Sequence, residues 1–293
     1  NDASPDGSEE IILSYEDSRI VYKKHEQNRG LVGALNSGLE LCKGKYIARM
    51  DQDDIATLNR FELQYSFMEA NPDCILLGGQ ADIINSKYKL ENPITDEAIR
   101  AKLIFNTAFV HPTVMFRKTM LDEHNLRYSE LYKHAEDYGF WVDLACYGKL
   151  ANLPQTCLNY RRHEGQYTVV FNQDMVQMVK KIKSVYLKNN KVTLSDDDLN
   201  FLDSITERKI NYSDTNQVKE LGTFLSKFPS KFNNSPINQN EIKALVYSIW
   251  NKTCNNRMKA GYPTYSIYIS SSVAFYKFNL KIHLSYLKKM LFN

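Results

Sequence analysis

An α/β domain over residues 1–165, built on a mostly parallel sheet, and a helical region over residues 166–293 are predicted by three observations. Short apolar stretches alternate with amphipathic ones through the first part. Strand signals nearly vanish from about residue 170 onward. The Asn-, Ser- and Pro-rich break KFPSKFNNSPINQN then separates segments of helical spacing. No internal repeat is present.

Arg19–Tyr22 is the first strand candidate in chain order. Leu31, Ala34, Leu35, Gly38 and Cys42 then recur at helical spacing. Lys45–Met50 is a second apolar strand. Leu58, Phe61, Tyr65 and Met68 predict an amphipathic helix with that stripe inward. Cys74–Gly78 reads as a buried strand, and Thr95-Asp96-Glu97 opens a helix with a cap and early acids. Thr113–Arg117 and Cys157–Arg161 are the last strands, with a helix from Glu136 to Tyr147 between them. Beyond them, Phe171–Leu187, Asp196–Thr206, Asn216–Lys227 and Ile237–Trp250 are helical.

A chain of 293 residues with 43% hydrophobic content can bury a large core. Its 37 basic and 34 acidic residues leave a formal charge of +3, which excludes a general nucleic-acid footprint. Any anionic ligand must therefore be met locally. Five scattered cysteines without C-x-x-C spacing read as reduced, mostly core thiols of a cytoplasmic protein. No apolar run reaches the length of a membrane span.

The stretch IARMDQDD ends an apolar strand in Asp51, Asp53 and Asp54. In an extended chain Asp51 and Asp53 share a face roughly 7 Å apart. At an effective dielectric near 20 they repel by about 2 kcal/mol. Open α/β sheets hold ligands at such strand ends. Calcium does not fit. The loop from Asp2 has Leu13 where a bidentate Glu is required, and the loop from Asp51 has Ile55 and Ala56 at ligand and glycine positions. A Mg²⁺ or Mn²⁺ ion serving a nucleotide diphosphate suits D-x-D better, since hard oxygens bind it and leave sites for phosphate.

Companions to D-x-D follow in order: NDASPDGS, NRGLVGALNSG, ARMDQDD, HPTVMFRK, HAEDYGFW and YRRHEGQYT. Over residues 1 to about 165 this set resembles the family 2 inverting glycosyltransferases of GT-A fold, bacterial polysaccharide type. The resemblance implies that Asp2 contacts the uracil ring and that Asn28, Arg29 and Gly30 lie near the nucleotide. It places Asp51 near ribose and sugar, and Asp53 on a metal bridging the diphosphate. Asp137, beside Glu136, becomes the base that activates the acceptor hydroxyl, and His163 matches a further metal ligand. His111, before Pro112, either lines the acceptor side or fixes a turn, and His134 and Tyr138 lie near the acceptor on this reading. Trp141 reads as core.

The chemistry agrees with those roles. A divalent ion neutralises a diphosphate leaving group. One carboxylate on the opposite side of the sugar deprotonates the acceptor, which gives inversion by a single displacement. In the family a strand, a helix and a second strand precede the N-D-x-S loop, so the resemblance implies that this N-terminal strand–helix–strand is missing before Asn1. The expected activity is transfer from a UDP-sugar to a polysaccharide or lipid-linked acceptor. The rival readings are a sugar-phosphate nucleotidyltransferase and a non-catalytic nucleotide-sugar-binding subunit.

No Asp or Glu follows Glu241, whereas Lys243, Lys252, Arg257, Lys259, Lys277, Lys281, Lys288 and Lys289 do. As a helix, the tail from Ala274 gathers Lys277, Lys281 and Lys288 into one stripe. Phe275, Phe278, Ile282, Tyr286, Leu287 and Met290 take the opposite side. This suits a groove on the protein itself, or peripheral contact with the inner face of the membrane.

Overall fold

A computed structural model describes residues 1–165, 172–207, 209–262, 264–276 and 280–292. Strands β1 (Tyr46–Ala48), β2 (Ile55–Ala56), β3 (Cys74–Ile83), β4 (Lys89–Leu90), β5 (Met115–Arg117) and β6 (Lys149–Tyr160) form one sheet. Its order is β1-β5-β3-β6-β2, with β4 on β3. The long central β3 is buried along nearly its whole length, which accounts for its continuous apolar run. Helices α1 (Ser8–Leu13), α2 (Gly30–Leu41), α3 (Arg60–Ala70), α4 (Asp96–Lys102), α5 (Lys118–Glu123) and α6 (Glu136–Leu144) surround it.

The sheet is mixed rather than mostly parallel. Among the described residues only β3 and β6 pair in parallel, and the other pairings are antiparallel. β1, β3 and β6 do run the same way, but β5 is inserted between β1 and β3 in the reverse sense. Direction leaves no trace in a three-residue apolar strand such as Met115–Arg117. Arg19–Tyr22 is no strand either. The Asp17 carboxylate accepts from Arg19 N (2.9 Å) and Nε (3.0 Å), turning the chain, and Ile20 and Val21 are exposed. The extended stretch after it bonds to Asn1 instead, through His25 N to Asn1 O at 3.0 Å.

Of the apolar residues at helical spacing, Met68 alone is buried in α3. Arg60, Gln64 and Met68 are buried, whereas Leu58, Phe61 and Tyr65 face outward. Strand-end carbonyls decide this, because buried acceptors need donors. Arg60 Nη2 donates to Arg49 O at 2.7 Å, Gln64 Nε2 to Thr113 O at 2.7 Å, and Arg60 Nε to Gln64 Oε1 at 3.0 Å. The pair thereby fixes the end of β1 beside the turn before β5.

The C-terminal helices are α7 (Asn172–Asn189), α8 (Asp196–Thr206), α9 (Thr215–Lys227), α10 (Gln239–Lys259), α11 (Tyr265–Ser270) and α12 (Leu280–Phe292). Their starts follow from capping: Ser195 closes a capping box with Asp198, and Asp214 and Asn238 cap α9 and α10. One apolar core joins both parts of the chain, from Val32 to Tyr286. Tyr186 OH donates to Arg100 O at 2.9 Å, and the Phe105 and Phe228 rings lie 5.6 Å apart.

The tail packs on its own domain where it is described. Tyr286 is buried and stacks on Tyr268 at 4.6 Å, and Ile282 packs against the core. Phe171, Lys277 and Phe278, and the side chains of Lys288 and Met290, lie outside the described residues. All five cysteines are free thiols, with Cys74, Cys157 and Cys254 buried. Among the described residues no helix is long and apolar enough to cross a membrane.

Candidate active site

The connection from β1 to β2 carries the acidic cluster. Oxygens of Asp51, Asp53 and Asp54 lie within 4.8 Å of one another. Arg49, at the end of β1, pairs with Asp51 through both carboxylate oxygens, one contact being Nη1 to Oδ2 at 2.7 Å. Burial pushes the Asp51 carboxyl up, against the pull of Arg49. Asp54 is buried. Its Oδ1 accepts from Arg161 N at 2.8 Å, while its Oδ2 has no hydrogen-bond partner. Burial raises its carboxyl too.

β6 brings the end of the domain back to this cluster by pairing with β2. His163 Nε2 lies 3.0 Å from Asp53 Oδ2, and Arg161 Nε donates to Asp53 O at 2.7 Å. Residues 110 positions apart are thus joined. The three carboxylates form a hard, oxygen-rich donor set of the kind that holds Mn²⁺ or Mg²⁺, with His163 against one of them. The orphaned Asp54 oxygen and the His163–Asp53 contact fit such an ion.

Asp2, Asn28, Arg29 and Gly30 form a second group at the start of α2. Asp2 Oδ1 accepts from Arg29 N at 2.8 Å and from His25 Nδ1 at 2.7 Å. Asn28 Nδ2 donates to Asp2 O at 3.1 Å, and Gly30 N to Asn28 Oδ1 at 3.1 Å. Gly30 takes φ +74, which glycine adopts at little cost. Partial burial pushes the Asp2 carboxyl up, but its bonds from His25 and the Arg29 and Gly30 amides hold it below the usual range. Asp2 therefore anchors the helix start to the loop.

Glu136 and Asp137 occupy the first turn of α6, entered through His134 in the left-handed region (φ +72). The two carboxylates differ. Glu136 is 4% exposed, its Oε2 has no hydrogen-bond partner, and burial pushes it up to about 7. Asp137 is half-buried and accepts from Tyr138 N at 2.6 Å. Burial raises it, and the Tyr138 amide and the Arg49 charge pull back. Arg49 pairs with Asp51, and its charge also acts on Asp54, His111, Glu136 and Asp137.

His111 opens the turn His111–Thr113, with Nε2 2.9 Å from the Tyr128 hydroxyl and its ring edge-on to Trp141 at 5.5 Å. Burial holds it neutral, well below the usual histidine range. Trp141 is core as expected, but so is Tyr138, whose hydroxyl donates to Leu103 O. Helix spacing turns Tyr138 inward.

The sequence model of glycosyl transferase family 2 matches residues 1–125. Residues 1–125 thus carry the sequence pattern of glycosyltransferase family 2. The match takes in Asp2, the acidic cluster and His111, while Glu136, Asp137 and His163 lie beyond it. An uncharacterized glycosyltransferase of Haemophilus influenzae is 33% identical over 196 residues, 61% of this chain and 61% of that protein. The Escherichia coli UDP-Glc:alpha-D-GlcNAc-diphosphoundecaprenol beta-1,3-glucosyltransferase WfgD is 31% identical over 145 residues, 49% of this chain and 55% of that protein. This chain thus spans less than two thirds of the length of either relative. S. aureus TarS 1–349, solved with UDP-GlcNAc, superposes with a TM-score of 0.56 at 15% identity. It covers 98% of this chain and 81% of that one, so the GT-A fold is shared.

Within this family 2 framework, three residues escaped the sequence reading. Arg49 flanks D-x-D, and an isolated cation beside three acids was its signal. Tyr128 and Asn36 carried none. Asn36 grips the Tyr128 backbone from both sides, Nδ2 to Tyr128 O and Tyr128 N to Oδ1, each at 2.9 Å.

Proposed function

We propose that this chain transfers a sugar from a UDP-sugar to a hydroxyl of a lipid-linked or polysaccharide acceptor, with inversion at the anomeric carbon. The observation that carries this reading is the Asp51, Asp53 and Asp54 cluster at the strand end, with His163 brought against Asp53. The donor and acceptor classes follow the name of the E. coli relative. Asp53 with His163 would hold a divalent ion, Asp51 and Asp54 completing its anionic surroundings. When bound, that ion supplies charge neutralisation at the diphosphate leaving group. Asp137 accepts the acceptor proton as its oxygen attacks the anomeric carbon and the bond to UDP breaks. Asp2 and the Asn28–Gly30 helix start face the nucleotide, and His111 borders the acceptor.

Titration calorimetry of UDP with and without Mn²⁺ tests the metal part. Asp53→Ala should abolish the Mn²⁺-dependent component while thermal stability stays close to wild type. Unchanged UDP binding with Mn²⁺ in that variant would remove Asp53 from the site. Transfer from UDP-glucose to a GlcNAc-diphospholipid, followed by anomeric analysis of the product, tests donor, acceptor and inversion together.

A further inference from the structure

Charge is segregated along this chain. Residues 242–293 hold eight Lys or Arg and no Asp or Glu, whereas the remainder holds 29 cations against 34 anions. Elsewhere, Lys45, Lys89, Lys149, Lys180 and Lys209 each meet a carboxylate. Among the described residues, exposed Lys252, Lys259 and Lys281 form no ion pair.

Apolar surface accompanies these cations. With Tyr286 and Ile282 turned to the core, α12 presents Lys281 and, one turn on, Leu284 at 53% exposure. Phe275, 55% exposed, lies beside it, its ring 5.7 Å from that of His283. Tyr286 OH donates to Asn251 O at 3.2 Å, which holds the inner face of α12 against α10. A cationic segment with exposed Phe and Leu complements anionic headgroups over a hydrocarbon layer, and no described helix is built to span it.

We propose that the outer face formed by Phe275, Lys281 and Leu284 docks on an anionic lipid bilayer. The contact is peripheral and reversible. It uses the outer face of α12, because the inner face is already occupied by the protein's own core. It does not rest on the transferase reading, since docking is measured without turnover.

Co-sedimentation of the full chain with phosphatidylglycerol-containing vesicles, against pure phosphatidylcholine, tests it. Binding should require the anionic lipid and fade as salt shortens the screening length. Lys281→Gln should lower the partition coefficient about fivefold. Phe275→Ser/Leu284→Ser should lower it about tenfold or more. Lys149→Gln, which removes the same charge from the Asp73 pair, should leave it unchanged. Failure to sediment with anionic vesicles at low salt overturns the proposal. So does a loss for Lys149→Gln as large as for Lys281→Gln, because net charge alone would then explain binding.

Discussion

Two adjacent carboxylates at the start of α6 are separated chemically by their surroundings. Glu136, enclosed and lacking a partner for Oε2, is pushed to about 7, whereas half-buried Asp137 keeps the Tyr138 amide and the Arg49 charge. The folded state therefore binds the Glu136 proton more tightly than the unfolded chain, whose value is 4.5. Stability contributed by this group is present at low pH and is lost as pH rises from about 4.5 to about 7, by roughly 3 kcal/mol. Glu136→Gln should remove that share of the pH dependence. Urea unfolding at the two ends of this window checks it, and an unaltered difference from wild type at both ends would contradict it. Asp137→Asn keeps shape but cannot take a proton, so transfer should fall by about 10²–10⁴-fold with UDP affinity nearly unchanged. Retention of more than about a tenth of wild-type transfer would move the base elsewhere.

Helix α3 shows how a strand end can outrank hydrophobic spacing. The carbonyls of Arg49, Val114 and Thr113 converge where water does not reach, and Arg60 and Gln64 are long enough to meet them. Each orphaned buried acceptor costs about 1–3 kcal/mol, comparable to burying one more apolar side chain. Arg60→Ala should accordingly destabilise the protein by about 3 kcal/mol or more. Phe61→Ser, at a position 62% exposed, should cost under about 1 kcal/mol. Chemical denaturation of both variants decides the orientation of this helix. The reverse order of effects would show the apolar stripe facing inward. Because Arg60 also fixes the backbone just before Asp51, its loss should weaken Mn²⁺-dependent UDP binding as well.

At the scale of the whole molecule, the apolar core does not stop where the chain turns from α/β to helical. Phe105 meets Phe228, Tyr186 caps the Arg100 carbonyl, and Thr206 Oγ1 donates to Phe105 O at 3.0 Å. Removing residues 166–293 would expose Ile99, Leu103 and Phe105. We expect one calorimetric transition with matching calorimetric and van't Hoff enthalpies. Residues 1–165 alone should lack a cooperative transition. Two resolved transitions in the full chain would make the parts independent domains.

Local chemistry made much of this legible. Caps and helical spacing placed α2, α4, α8, α9 and the acidic pair of α6 within a residue or two, because those signals act over one turn of chain. The D-x-D cluster stood out for the same reason, three acids ending an apolar strand. Tertiary structure decided the rest. The reversal of β5 and the inward turn of Arg60 depend on which carbonyls meet, and no window of neighbouring residues contains that. Asn36 reaches Tyr128, Arg49 comes within range of both acidic groups, and His163 reaches Asp53, through contacts spanning up to 110 positions. Their surroundings then made Glu136 and Asp137 unlike, since a carboxylate's proton affinity answers to its environment rather than its place in the sequence.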